Sequence, residues 1–113
     1  MLCTSPQTLS LVHVDTGATA LVNEGIFITV ASPSPKAKGT FWADGNLTLT
    51  KCTSTSDHAS AVYNGSSGIT TIDSCVFSSV DADVIVNKGN LNIEGNGDYR
   101  TNDARSIANS ADG

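Results

Sequence analysis

Basic side chains are scarce in this chain. It carries six Lys and Arg against eleven Asp and Glu in 113 residues, for a net charge of −5. Phosphate backbones are held by clustered Lys and Arg, and six scattered cations make no patch, so no nucleic acid partner is expected. An anionic lipid surface is disfavoured for the same reason. Long apolar runs are also missing. No stretch approaches the roughly 18 apolar residues of a membrane span, so no membrane insertion is expected.

Cysteine is limited to three residues, an odd number with no CxxC, which argues against a dense disulfide framework and a zinc site. The opening MLCTSPQTLS has no basic segment followed by an apolar core, so no signal peptide is visible. Export by another route, or a piece cut from a longer protein, is the expectation. Helical periodicity is lacking as well: Leu, Ala and Glu never recur at helical spacing beyond two turns, while Thr, Val, Ile and Asn favour strands and turns.

What is present is a polar but uncharged surface. Ser, Thr, Asn and Asp supply 45 residues, and only 15% of the chain is charged. Such surfaces are common on secreted, cell-surface and viral appendage proteins, so an extracellular, cell-surface or virion location is expected. The length fits one domain or a piece of one.

The chain also repeats itself. GNLTLTKC (45–52) and GITTIDSC (68–75) both run from Gly through a β-rich alternation to Cys, seven positions on. Four segments superpose: TALVNEGIFITVAS, GTFWADGNLTLTKC, SAVYNGSSGITTIDSC and ADVIVNKGNLNIEGN. Their turn glycines are Gly25, Gly45, Gly68 and Gly89, spaced by 20, 23 and 21 residues. SIANSADG offers the start of a fifth copy, with Gly113 as its turn glycine.

A period of about 21 residues with two or three short strands per unit predicts an all-β fold, a right-handed parallel β-helix (solenoid) of about four to five rungs. An antiparallel sandwich competes, but its hairpins would not need the same turn to recur in register. The leucine ladder of a leucine-rich repeat is absent. The expected division is an N-terminal cap or irregular strand over 1–19, rungs over 20–97, and a C-terminal cap or further rung over 98–113.

Rungs stacked about 4.8 Å apart place equivalent positions above one another. Leu47, Leu49, Ile72, Leu91 and Ile93 form one inward row, alternating with outward Thr48, Thr71 and Asn92. Val22, Trp42, Val62 and Ile85 or Val86 are expected to form the inward row of the preceding strand. Asn23, Asn64 and Asn87 sit where an inter-rung asparagine ladder would form. Cys52 and Cys75 then occupy one place on adjacent rungs. They are either a ladder of small buried thiols or a disulfide closing a 22-residue loop, and the redox state of these two and of Cys3 is open.

The run SAVYNGSSGITTIDSCVFSSVDA resembles the repeats of polymorphic outer membrane proteins and related bacterial β-helix adhesins. Ala61-Val62-Tyr63-Asn64, Ile69–Ile72 and Phe77 carry the likeness, with Val80 standing at the usual Asn position. Phage tail spikes and polysaccharide lyases share it. The resemblance implies a non-enzymatic structural or adhesive module of a surface or virion appendage. It would present loops to a host-surface protein or glycan, or to other subunits, as a homo-oligomer or part of a longer chain. The alternative is a fragment or subunit of a carbohydrate-active β-helix enzyme.

The candidate binding residues are few. Asp57 and His58 lie one rung before Asp81 and Asp83, a spacing that brings carboxylates side by side for polar binding or acid–base work. A lyase also needs a base beside them, and no Lys or Arg falls on these loops, so no catalytic residue, metal or cofactor is assigned. Tyr99 and Arg100, in GDYRTNDAR, are residue types enriched at interfaces. TNDARSIANSADG reads either as a capping helix with Asp103 at its N-cap or as the fifth rung. His13 is expected on an exposed face. ASPSPKAKG (31–39) is expected as a stiff exposed excursion, the kind of loop that carries binding surfaces.

Overall fold

The computed structural model describes residues 2–5, 12–30, 37–102 and 106–109. Among the described residues there are fourteen strands and no helix. They are β1 (Leu2–Ser5), β2 (Val12–Val14), β3 (Thr19–Asn23), β4 (Ile26–Val30), β5 (Ala37–Ala43), β6 (Asn46–Thr50) and β7 (Thr53–Asp57). Then follow β8 (Ala59–Asn64), β9 (Ile69–Asp73), β10 (Val76–Val80), β11 (Ile85–Asn87), β12 (Asn90–Glu94), β13 (Asp98–Thr101) and β14 (Ile107–Asn109).

Each strand pairs in parallel with the strand three places along the chain. The chain therefore winds as a β-solenoid with three faces. The first face stacks β2-β5-β8-β11-β14, the second β3-β6-β9-β12, and the third β1-β4-β7-β10-β13. From β3 to β12 the chain completes three turns, slightly fewer than the four to five rungs expected. The other strands belong to partial turns at either end.

Register on the second face sets the repeat. Thr19 stacks on Asn46, Asn46 on Ile69 and Ile69 on Asn90, so successive turns take 27, 23 and 21 residues. Gly45, Gly68 and Gly89 therefore share one corner, and Ala18, not Gly25, is their counterpart on the first turn. Gly25 stacks instead on Cys52 and Cys75, at the corner between the second and third faces, because Ile26, Thr53 and Val76 are register partners. The near-equal spacing of 20 from Gly25 to Gly45 came from a long first turn compensating for the wrong corner.

Alternation then decides what lies inside. On the first face Phe41, Val62 and Ile85 form the inner column and Trp42, Tyr63 and Val86 the outer one. Of the alternatives Ile85 and Val86, Ile85 takes the inner place, while Trp42 was expected inside and is not; adjacent residues of a strand point to opposite sides, and buried Phe41 forces Trp42 out. Val22 points inward, but on the second face, where it partners Leu49. Leu47, Leu49 and Ile72 are buried as expected. Leu91 is half-buried and Ile93 exposed, since no described strand stacks beyond β12.

The centre is a file of rings. Phe27, Ser54, Phe77 and Tyr99 stack on the inner third face, and small Ser54 leaves room for Phe41 to cross from the first face. Phe41 meets Phe27 edge-on at 4.7 Å and Phe77 at 6.4 Å. All three phenylalanines are fully buried, each stabilising the fold by about 2–3 kcal/mol. Beside them runs a seam of buried hydroxyls. Thr40 Oγ1 lies 2.7 Å from Thr29 Oγ1 and 2.9 Å from Ser56 Oγ, so the groups satisfy one another without water.

The asparagine ladder exists, but with two of the three expected members. Asn64 and Asn87 are register partners and buried, and Asn64 Nδ2 donates to Asn87 Oδ1 at 2.8 Å. Asn64 also donates to the Asn90 carbonyl and accepts from Thr70 Oγ1, which uses both amide hydrogens and one lone pair of Oδ1. Asn23 is exposed and stacks on Thr50 in another sheet.

Two further expectations change. Ile107–Asn109 is a strand, not part of a capping helix, because Ile85, Val86 and Asn87 offer it a parallel edge. Asp103 and Gly113 lie outside the described residues. Within ASPSPKAKG, Ala37–Gly39 already belongs to β5, with a register shift between Ala37 and Gly39. Residues 31–36 are outside the described set.

Candidate functional site

The corner between the third and first faces carries a polar cluster. β7 ends at Asp57 and β8 begins at Ala59, so His58 alone makes the corner, with a left-handed φ of 58°. One turn on, Asp81 takes the same conformation, φ 60°. Asp and His are among the few side chains that tolerate it. Since Asp57 pairs with Val80, His58 stacks on Asp81, and the His58 N–H donates to the Val80 carbonyl at 2.9 Å.

His58 stands between two carboxylates. Its Nδ1 lies 3.3 Å from Asp81 Oδ2 and its Nε2 3.5 Å from Asp57 Oδ1. His58 is 23% exposed while the aspartates are 45% and 41% exposed, so the ring is a recessed bridge between more exposed carboxylates. The Asp81 N–H donates to Asn102 Oδ1, which continues the column to the next turn. Asp83 lies in the same corner, which is anchored by fully buried Val84 accepting the N–H groups of Ala61 and Val62.

Thus the chain spacing brings Asp57, His58 and Asp81 together. The arrangement presents carboxylate acceptors to hydroxyl or ammonium donors. Among the described residues, no group of three or more His, Cys, Asp or Glu is placed to hold a metal ion.

Tyr99 and Arg100 do not make one site, because they point to opposite sides of β13. Tyr99 packs inward against Phe77 at 5.6 Å, and its hydroxyl is buried without a hydrogen-bond partner among the described residues. Burial, with Cys75 nearby, raises its pKa. Arg100 is exposed and gives its Nε to Asp98 at 2.8 Å; such pairs contribute little.

Cys52 and Cys75 are both free and fully buried at the corner between the second and third faces. The Cys52 N–H donates to Cys75 Sγ at 3.4 Å. Each thiol points back one turn: Cys52 Sγ to the Val22 carbonyl and Cys75 Sγ to the Leu49 carbonyl, both at 3.5 Å. Burial pushes the Cys75 thiol up to about 11.

One constellation was not anticipated. On the outer first face His13, Trp42 and Tyr63 stack on successive turns, because they are register partners. His13 lies flat on Trp42 at 4.1 Å, Trp42 meets Tyr63 edge-on at 6.3 Å, and Lys88 Nζ stands 5.6 Å over the Tyr63 ring. His13 Nε2 is 3.1 Å from Asp44 Oδ2 and its Nδ1 3.6 Å from Asp15 Oδ1. The signal was legible: anchoring the register on Asn64 and Asn87 places Tyr63 outside, and Trp42 with it.

No helix among the described residues is long and apolar enough to cross a membrane. Comparisons with protein-family models, with curated proteins and with solved structures each find no match.

Proposed function

We propose that this chain is a non-enzymatic structural or adhesive module of a cell-surface or virion appendage, presenting its corners to a protein or glycan partner. One observation carries the reading: the strands of the second and third faces keep register while the corners vary in length. The first corner takes two residues at Asp44-Gly45 and at Lys88-Gly89, but four at Asp15–Ala18 and at Gly65–Gly68. The third corner takes one residue at His58 and four at Asp81–Val84. A rigid scaffold with variable connections is how binding loops are usually displayed. The resemblance to adhesin and tail-spike repeats supports the same reading by fold analogy.

The test is to screen the immobilised chain against glycans and host-surface proteins. Saturable binding without turnover, weakened at least tenfold by Asp81→Asn with Asp83→Asn, is the expected result. Absence of saturable binding to either class would overturn it.

The meeting of Asp57, His58 and Asp81 favours a second reading, a subunit or fragment of a carbohydrate-active enzyme. Release of reducing or unsaturated ends from polysaccharide, abolished by Asp81→Asn, would establish that reading instead.

A further inference from the structure

We propose that Cys52 and Cys75 form a reversible disulfide that staples two adjacent turns, giving the solenoid a reduced and an oxidised form. The two residues immediately precede the register partners Thr53 and Val76, so they stack directly on neighbouring turns. Neighbouring strands lie about 4.8 Å apart, which falls within the roughly 4.4–6.8 Å separation of Cα atoms that disulfides span. The Cys52 N–H already reaches Cys75 Sγ at 3.4 Å.

One motion separates the thiols from bonding. Cys75 Sγ points toward the turn that holds Cys52, but Cys52 Sγ points a turn further back, to Val22. Rotation of Cys52 about χ1 swings its sulfur toward Cys75 and gives up only weak S–H···O contacts. Both residues sit at a corner just before the strands, where the Cys52 carbonyl accepts the Val76 N–H at 2.9 Å and holds the two turns together, so the side chain turns without moving the backbone.

The oxidant is a low-molecular-weight disulfide. One cysteine thiolate attacks it and releases one small thiolate, leaving a mixed disulfide on the protein. The second cysteine thiolate displaces the other small thiolate and the protein S–S bond forms. The two cysteine protons end on the two released thiols, and the small disulfide is reduced as the cysteines are oxidised. Both steps need thiolate. Burial suppresses it in the folded corner, where the Cys75 thiol is pushed up to about 11. The redox state is therefore fixed while the chain folds, or when the corner opens, and then persists. This inference stands apart from the display reading, and a failure to bind glycan or protein leaves it untouched.

The experiment is to refold the full chain in a mixture of oxidised and reduced glutathione, then quench with acid. The expected product has lost two hydrogens by mass, yields a Cys52–Cys75 peptide pair on digestion, and keeps Cys3 free. Its thermal midpoint lies on the order of 10 °C above that of the reduced chain, because the staple closes a loop in the unfolded state. Reductant returns it to the reduced midpoint, and Cys52→Ala removes the difference. Retention of both thiols, pairing through Cys3, or an oxidised form that melts below the reduced one would each overturn the proposal.

Discussion

Two corners bound the second face, and each places one stacked column of small residues before its strands. On entry the column is Ala18, Gly45, Gly68 and Gly89; on exit it is Gly25, Cys52, Cys75 and Gly97. Both contain glycines, for different physical reasons. A Cβ on Gly45 would overlap the carbonyl oxygens of Asp15 and Ala18, and one on Gly89 those of Gly65 and Gly68. Backbone from one turn presses on backbone from the next, so Gly45 and Gly89 have no room for a side chain. At the exit corner a Cβ on Gly25 would first meet the Phe27 ring, and one on Gly97 the Tyr99 side chain. There the interior has room, which a thiol fills on two turns and a ring leaning back from two residues on fills on the others. A glycine dictated by backbone and a glycine chosen by packing look alike in sequence.

The sharpest way to break the comparison is a pair of substitutions. Gly45→Ala is expected to destabilise by about 3 kcal/mol or more, because no side chain can move aside. Gly25→Ala is expected to lose about 1–2 kcal/mol, since the Phe27 ring can shift. Urea unfolding of both variants measures the difference, and equal losses would erase the distinction drawn here.

A second effect belongs to the exit corner alone. The Cys75 thiol ionises near its ordinary 9.0 when unfolded and near 11 when folded, chiefly through burial. The folded state therefore favours the neutral thiol. Its contribution is fully present below pH 9 and is lost as pH rises toward 11, by on the order of 2 kcal/mol for the reduced chain. Unfolding midpoints of the wild type and Cys75→Ala, compared across this range, isolate the contribution from other alkaline titrations.

The smallest effect concerns the first residue of each exit corner. Glu24, Lys51 and Ser74 all hold left-handed φ values, 59°, 53° and 56°, and Gly95 follows with 71°. Only at Gly95 does the residue type match the conformation. Lys51→Gly is expected to stabilise by about 0.5–1 kcal/mol, read as a rise in urea midpoint with unchanged slope.

The fold was readable because the second-face strands obey a strict alternation that recurs with Gly before and Cys after. The corner cluster was readable for the same reason: Asp57-His58 and Asp81 are one turn apart, and stacking does the rest. What misled was the first turn. Its extra residues between β4 and β5 shift every alignment based on spacing alone, and that displaced Gly25, Val22 and Asn23 from their true columns. Trp42 was misplaced by a different route, since hydrophobicity marks it as core while alternation beside Phe41 does not permit it. Tyr99 misled in the opposite sense, as an interface type that the inner file of rings absorbs.

The 27, 23 and 21 residues of successive turns differ in their corners and in the first-face strands β5, β8 and β11, which run seven, six and three residues, whereas the five-residue strands of the second and third faces remain in step. In genetic terms this separates two grammars of change. Within a strand, one inserted residue sends every following side chain to the wrong face. Duplicating or deleting a whole turn preserves every kind of contact, because each turn touches only its neighbours. Corners accept single residues. Such a molecule lengthens by turns and diversifies by corners, and the two processes proceed without interfering.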